Sequence, residues 1–195
     1  MKKLLIYGMM LFFVIFLVSC SGITTPTTVP DDGGMDEYDP QFISLLNELN
    51  TPLKLMDYLL DNMQYKMTDV AYTPYEFYLK KEGDCGDYAT FNCYVLHYND
   101  YEVYWVYIIF ANPNMHPHAI AVFEHKATDN YWWWGPIAKY GYFDVYNLVL
   151  NGVSIYPRDF NTIGDCIDDL EVSREESVES YEVYPWNFFD FKKIE

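Results

Sequence analysis

The central stretch of the chain, residues 81–96, reads KEGDCGDYATFNCYVL. Gly83 and Asp84 break the regular structure of the chain. After them, the side chains suited to burial repeat at helical spacing. One side of such a helix carries Cys85, Tyr88, Ala89, Asn92, Cys93 and Leu96. The pattern predicts a buried helix with Cys85 in its first turn. Exposed N–H groups and the helix macrodipole at that end favour a thiolate and can stabilise an oxyanion.

Cys85 has two interpretations. A free cysteine is commonly a small buried hydrophobic residue, and it is less often a nucleophile. Glycine and aspartate flank Cys85 on both sides and break the helix where burial favours continuity, so we favour the nucleophile. Asp84 and Asp87 are interpreted as caps that hold the start of the helix.

Helical spacing also extends through residues 41–63, upstream of this stretch. Thr51-Pro52 interrupts it with an N-cap and a proline at the first helical position, which predicts two helices rather than one. Thr73-Pro74 followed by Glu76 has the same signature and predicts a further short helix that ends near Lys81.

Downstream of the Cys85 helix the composition changes to that of strands. Residues 102–110 are rich in β-branched and aromatic side chains and predict a strand that ends at the turn Asn112-Pro113-Asn114. Residues 118–123 and 131–134 predict two more strands, joined as an antiparallel hairpin around residues 127–128. Helices followed by antiparallel strands indicate an α+β fold.

His118 begins the second predicted strand and is one of four histidines. His97 lies at the end of the Cys85 helix, where it meets the negative pole of the helix, and His125 lies beside the hairpin turn. His116, His118 and Cys85 lack an obvious fourth ligand for zinc, so we expect no metal site and no cofactor. His118 is therefore our candidate partner for Cys85.

The residues Gly83-Asp84-Cys85-x-Asp87-Tyr88-Ala89, followed by a strand and then by His118-Ala119 at the start of another, resemble the transglutaminase-like superfamily. Members of that superfamily share a papain-like core, and the resemblance covers roughly residues 51–150. It implies N-terminal helices, with the nucleophile at a helix N-terminus, packed on an antiparallel sheet. It also implies that Cys85 is the nucleophile of an acyl transfer, that His118 is its base and later its acid, and that an Asp or Asn orients the imidazole.

The position of that orienting residue is open. In the predicted hairpin, His118 faces roughly residues 135–137, where the family pattern has an acidic residue and this chain has Gly135. Asp144, or a tyrosine such as Tyr140 or Tyr142, is an alternative that nothing in the sequence requires. We therefore expect a Cys-His pair with an unfilled third position near Gly135.

The first 19 residues resemble a lipoprotein signal peptide. Lys2-Lys3 precede an apolar segment that ends in Leu17-Val18-Ser19-Cys20, which resembles a bacterial lipobox and implies cleavage before Cys20 and fatty acylation, such as palmitate, on it. An uncleaved transmembrane anchor is the alternative, but the apolar segment is short for the roughly 20 residues that span a bilayer. Residues 20–39 predict a lipidated flexible tether and residues 40–195 a single domain, on the outer side of a bacterial membrane.

Charge and cysteine content restrict the partners. Removing Lys2 and Lys3 from the 12 basic residues leaves 10 against 29 acidic residues, so the mature net charge is −19. Such a charge argues against nucleic acid, which is held mainly through Lys and Arg. The acidic segment 165–182 is interpreted as a solvated face. Cys93 and Cys166 are available for a disulfide, which an oxidising compartment permits.

Together these features predict an exported, lipid-anchored cysteine enzyme that hydrolyses or transfers acyl groups of a peptide, protein or peptidoglycan. The alternative is a catalytically inactive surface module of the same fold that binds peptide or cell-wall glycan. Its groove would be lined by some of the 20 tyrosines, 13 phenylalanines and 5 tryptophans.

Overall fold

A computed structural model describes residues 39–126, 139–145 and 160–186, all within one compact unit of the chain, residues 32–195. The described helices are α1 (Pro40–Glu48), α2 (Pro52–Asn62), α3 (Pro74–Lys80), α4 (Cys85–Tyr98) and α5 (Ile163–Arg174). The described strands are β1 (Gln64–Tyr65), β2 (Glu82–Gly83), β3 (Val103–Phe110), β4 (His118–Glu124), β5 (Tyr140–Phe143) and β6 (Val178–Pro185). The fold is α+β, as predicted. Among the described helices, none has the length and apolar content needed to cross a membrane.

The helices before Cys85 begin where the sequence predicts. Thr51 accepts a hydrogen bond from the N–H of Lys54 at 3.3 Å and separates α1 from α2. Thr73 and Glu76 form a reciprocal capping box at the start of α3. Lys81 follows α3 with a left-handed backbone, φ 59°, which turns the chain directly into β2. α3 therefore delivers the chain to the start of α4 through a short, fixed connection.

Four strands form an antiparallel sheet in the order β5-β4-β3-β6. β3 and β4 pair from Ile108 opposite His118 to Val103 opposite Phe123, which confirms both predicted strands. β6 pairs with the other edge of β3 and was not predicted. β4 is thus an interior strand, with β3 on one side and β5 on the other.

The predicted register of the β4 hairpin is wrong. Ala121 pairs with Phe143 and Glu124 with Tyr140, so β5 occupies the edge of β4 that residues 131–134 were predicted to cover. Residues 131–134 themselves, and Gly135, lie outside the described residues. The prediction assumed a tight turn at residues 127–128, whereas residues 125–139 connect the two strands.

Different helices cover the two faces of this sheet. Ile120 and Val122 point to one face, where they pack in the core with Leu170 of α5. Ala119 and Ala121 point to the opposite face, where their small side chains leave room for α4 along β4. The start of α4 and the start of β4 therefore meet at one end of the sheet.

Cys93 and Cys166 are free, buried thiols, so they do not form the disulfide that was considered for them. Cys93 belongs to α4 and Cys166 to α5, and the sheet lies between these helices. Burial raises the pKa of both thiols, which keeps them neutral in apolar surroundings.

The acidic segment 165–182 is not simply a solvated face. It forms most of α5 and the first part of β6. Cys166, Ile167 and Leu170 from this segment are buried in the core. Its charged side chains occupy most of the remaining positions of α5, and this acidic pattern concealed the buried side of the helix.

Candidate active site

Cys85 is the first residue of α4 and is half-buried. Gly83, two residues earlier, allows a close approach of three segments. A Cβ atom on Gly83 would lie 2.7 Å from the ring of Phe77 and 2.7 Å from Oδ2 of Asp87. Gly83 also pairs with Tyr65 through the short β1–β2 ladder. The glycine thus lets α3, β1 and the start of α4 pack tightly around Cys85.

Asp84 and Asp87 form a capping box around the first turn of α4, as predicted. Oδ1 of Asp84 accepts hydrogen bonds from the N–H groups of Gly86 at 2.9 Å and Asp87 at 3.3 Å. Oδ2 of Asp87 accepts from the N–H of Asp84 at 2.9 Å. These bonds use two of the N–H groups that were expected to stabilise an oxyanion. Within the described residues, the first-turn N–H without an acceptor is that of Cys85.

Asp87 also holds the loop that follows β1. Its Oδ1 accepts from the N–H of Tyr72 at 2.7 Å, and the Thr68 hydroxyl lies 3.1 Å from Oδ2. Burial raises the pKa of Asp87 to about 6, against the opposing effect of the Tyr72 and Asp84 N–H groups. A single buried carboxylate therefore fixes both the start of α4 and the adjacent loop.

His118 lies opposite Cys85, at the start of β4, with a side chain that is 5% exposed. Its Nε2 is 2.7 Å from Oδ1 of Asp144. The imidazole also hydrogen-bonds the side chain of Cys85, and Nδ1 is the ring nitrogen that remains for this bond. The structure thus brings together the cysteine and the histidine that the sequence singled out, and adds a carboxylate.

The charge state of His118 follows from these contacts. Burial disfavours the imidazolium, but hydrogen bonds with Asp144 and Cys85 and their negative charges outweigh it and raise the pKa of His118 to about 9. The ring is therefore an imidazolium at neutral pH. An imidazolium bonded to a cysteine side chain is the arrangement that supports a thiolate nucleophile.

The third position was expected to be unfilled near Gly135, which lies outside the described residues. The carboxylate beside His118 is instead that of Asp144, one of the alternatives named from the sequence. Asp144 directly follows β5, one step beyond the pair of Phe143 with Ala121, and its side chain has no exposed surface. Continued by one residue, this register places Asp144 opposite Ile120, two residues from His118 and on the face to which His118 points. The alternative Tyr142 is engaged elsewhere, because its hydroxyl donates to Asp169 at 2.8 Å.

Three further residues surround this site and were missed in the sequence. Burial raises the pKa of Tyr65 to about 12, and the negative charge of Cys85 adds to the effect. Burial likewise raises the pKa of Tyr107, again with a contribution from Cys85. Arg174, from the end of α5, forms an ion pair with Asp144. Only the tertiary structure brings these residues to Cys85, so no local sequence signal marks them.

The other three histidines lie apart from this site. His116 is exposed, the ring of His97 lies 6.1 Å from that of Trp186, and His125 packs edge-on against Phe123 at 5.0 Å. Within residues 39–126, 139–145 and 160–186, no group of three or more His, Cys, Asp or Glu side chains is arranged to hold a metal ion.

The helix that presents a cysteine to a histidine on an antiparallel sheet defines a papain-like α+β domain. Residues 39–134 match the family model described as a transglutaminase-like domain. This match supports the transglutaminase-like superfamily, as the residues around Cys85 implied. The match contains Cys85 and His118 and ends before Asp144. No curated protein matches the chain significantly.

Proposed function

We propose that this protein is an exported, lipid-anchored cysteine enzyme that transfers acyl groups through Cys85, His118 and Asp144. The observation that carries the proposal is the buried His118 ring, with Nε2 2.7 Å from Asp144 and a hydrogen bond to Cys85 on its other side. Nucleophilic acyl transfer needs a thiol, an imidazole to move its proton and a group that orients the imidazole.

In the first half-reaction, the Cys85 thiolate attacks the carbonyl carbon of an amide and forms a C–S bond, while the carbonyl π electrons move to oxygen. The Cys85 N–H and the Tyr65 hydroxyl are our candidate donors to this oxyanion. Tyr65 is suitable because its hydroxyl contacts only a weak acceptor among the described residues, Sδ of Met67 at 3.2 Å. The C–N bond then breaks, and the His118 imidazolium protonates the leaving amine.

In the second half-reaction, water or a primary amine attacks the thioester on Cys85. Neutral His118 takes a proton from the attacking group, and the C–S bond breaks to restore the thiolate and the imidazolium. Asp144 stays anionic and keeps Nε2–H turned toward it. Water yields hydrolysis and an amine yields transglutaminase-type transfer, with a peptide, protein or peptidoglycan amide as the acyl donor.

The cellular part of the proposal rests on the N-terminal sequence. Residues 1–19 act as the signal peptide, and a lipid on Cys20 holds the domain on the outer side of a bacterial membrane, at the end of the tether 20–39. Cells grown with labelled palmitate should incorporate label into the wild-type chain and not into Cys20→Ser. Equal labelling of the two chains would refute the anchor.

The enzymatic part is tested by alkylation, which needs no known substrate. Iodoacetamide at pH 7 should modify Cys85 at least about tenfold faster than free cysteine, because a thiolate is the reactive form. His118→Ala should remove most of this advantage. Cys93 and Cys166 are buried internal controls that should stay unmodified, which peptide mass spectrometry resolves. A Cys85 that reacts no faster than free cysteine would refute the enzymatic function.

The inactive binding module is the remaining outcome. Cys85→Ser abolishes acyl transfer while it preserves the shape of the domain. If bacteria that carry Cys85→Ser keep the phenotype of the wild type and differ from a deletion strain, the domain acts by binding and the enzyme proposal fails.

A further inference from the structure

Arg174 ends α5, and its side chain is only 7% exposed. Nε of Arg174 lies 4.0 Å from Oδ2 of Asp144, the carboxylate oxygen that does not bond His118. The guanidinium carbon lies 5.2 Å from the centre of the Phe110 ring. Long basic side chains at a helix end normally extend their charge into solvent, so this inward orientation requires a partner.

We propose that Arg174 is a positioning residue that keeps Asp144 ionised and turned toward His118, and that it acts on the reaction through Asp144. The inference rests on the proposed function, because it concerns the same Cys85–His118 pair. It makes α5, which lies beyond the family match of residues 39–134, an integral part of the active site.

The charge on His118 changes during one reaction cycle, whereas the charge on Arg174 does not. Asp144 has no exposed surface, and burial penalises an ionised carboxylate that lacks a positive partner. His118 is such a partner only while it is protonated, and it gives its proton to the leaving amine in the first half-reaction. Arg174 cannot lose its charge in a protein, so it balances Asp144 throughout the cycle.

The titratable groups that interact with Asp144 come from several elements. They are His118 on β4, Tyr65 on β1, Tyr142 on β5 and Arg174 on α5. Tyrosines are neutral at physiological pH and His118 changes its charge during the reaction. Arg174 is therefore the permanent positive charge among these described groups.

A purely structural role makes a different prediction. A basic residue near a helix C-terminus stabilises the helix dipole, and a guanidinium over an aromatic ring contributes a cation–π contact. Loss of these contacts would lower thermal stability without any effect on the pH at which Cys85 becomes reactive. The pH profile of alkylation therefore separates the two roles.

The test uses the full chain in detergent and the rate of Cys85 alkylation by iodoacetamide between pH 4 and pH 10. Arg174→Met keeps most of the side-chain packing and removes the charge. Without that charge, the buried carboxyl of Asp144 retains its proton to higher pH. The acidic limb of the profile, where the alkylation rate rises with pH, should therefore move up by about one pH unit. At a fixed pH on that limb, the rate should fall on the order of tenfold, since a shift of one pH unit changes the ionised fraction of the carboxyl tenfold. Arg174→Lys should restore the position of the limb.

A double-mutant cycle tests whether Arg174 acts through Asp144. In an Asp144→Asn background, Arg174→Met should change the rate by less than about twofold, because the carboxylate it acts on is absent. Lys139→Met is the matched control. It removes one positive charge from an exposed pair with Glu124, 3.2 Å away, and should leave the profile unchanged.

Arg174→Gln gives a second uncharged side chain of similar length in case Arg174→Met does not fold. A profile for either variant that superimposes on that of the wild type overturns the inference, and so does a tenfold effect that persists in Asp144→Asn. Wild-type alkylation no faster than that of free cysteine refutes the proposed function as well. A normal wild-type profile with unaltered Arg174 variants refutes the inference alone.

Discussion

Asp144→Asn is the most informative single substitution, because it keeps the shape of the side chain and removes only the charge that faces His118. The pKa of His118 is about 9 against an ordinary value of 6.5, a difference worth roughly 3 kcal/mol in favour of the imidazolium. Burial acts against this and is unaltered by the substitution. The pKa of His118 should therefore fall well below 9, while the bond with Cys85 continues to favour the imidazolium.

Two measurements follow this change. NMR titration of ¹³C-labelled histidine rings gives the pKa of His118, whose signal is assigned by its loss in His118→Gln. Acylation of Cys85 by p-nitrophenyl acetate should slow by about 10² or more, because the ring loses both its charge and its orientation. Asp169→Asn is the matched control, since it weakens the bond of Asp169 with Tyr142 on the same helix and sheet but should leave His118 unaltered.

The pKa of His118 in the variant decides whether Asp144 orients the imidazole. If His118 keeps a pKa near 9 in Asp144→Asn, the carboxylate does not hold the imidazolium, and Asp144 has no orienting function. A fall in the pKa of His118 in both Asp144→Asn and Asp169→Asn would instead indicate a general loosening of the α5–β5 contact.

Three further predictions concern the same domain. Gly83→Ala should lower the free energy of unfolding in urea by about 2 kcal/mol and slow Cys85 alkylation, because the new Cβ overlaps its neighbours at 2.7 Å. Gly164→Ala is the control. Its new Cβ has its nearest contact at 3.5 Å and should not destabilise the domain. Tyr65→Phe should slow acylation by p-nitrophenyl acetate about 10- to 100-fold. It should leave iodoacetamide alkylation unchanged, since alkylation forms no oxyanion. Equal losses in both reactions would contradict the role of the Tyr65 hydroxyl as an oxyanion donor. The pKa of His118 in the folded state is raised from 6.5 to about 9. The protonated ring therefore contributes fully to the free energy of unfolding below pH 6.5, and this contribution is lost as the pH rises through 9. The free energy of unfolding of the wild type in urea should exceed that of His118→Gln at pH 6, and this difference between the two proteins should shrink as the pH rises. A difference that stays constant from pH 6 to pH 9.5 would exclude the contribution.

Local signals in the sequence were sufficient for the helices α1 to α4 and for half of the site, but not for α5. N-caps followed by proline predicted the starts of α2 and α3, and the helical spacing after Gly83 predicted α4. The same spacing placed Cys85 in the first turn, and the apolar residues after His118 marked it as the start of a strand. These features depend on residues a few positions apart, which the sequence displays directly.

The remaining features depend on long-range geometry. Asp144 meets His118 only because residues 125–139 make a long connection, which changes the register from the one that a tight turn gives. Arg174 was hidden because acidic side chains on the outside of α5 masked its buried side. The possible disulfide between Cys93 and Cys166 is also not formed, and the sequence does not show that a sheet lies between their helices.

The pairing of β6 with the interior strand β3, and the position of Arg174 at the end of α5, have a consequence for the order of biosynthesis. His118 leaves the ribosome 56 residues before Arg174, as the difference between 174 and 118 gives. At about 5–20 residues per second, this interval is roughly 3–11 s. During that time the nascent chain contains its thiol and imidazole but neither the completed sheet nor the arginine. The C-terminal segment therefore completes the sheet and brings Arg174 to Asp144 only late in synthesis.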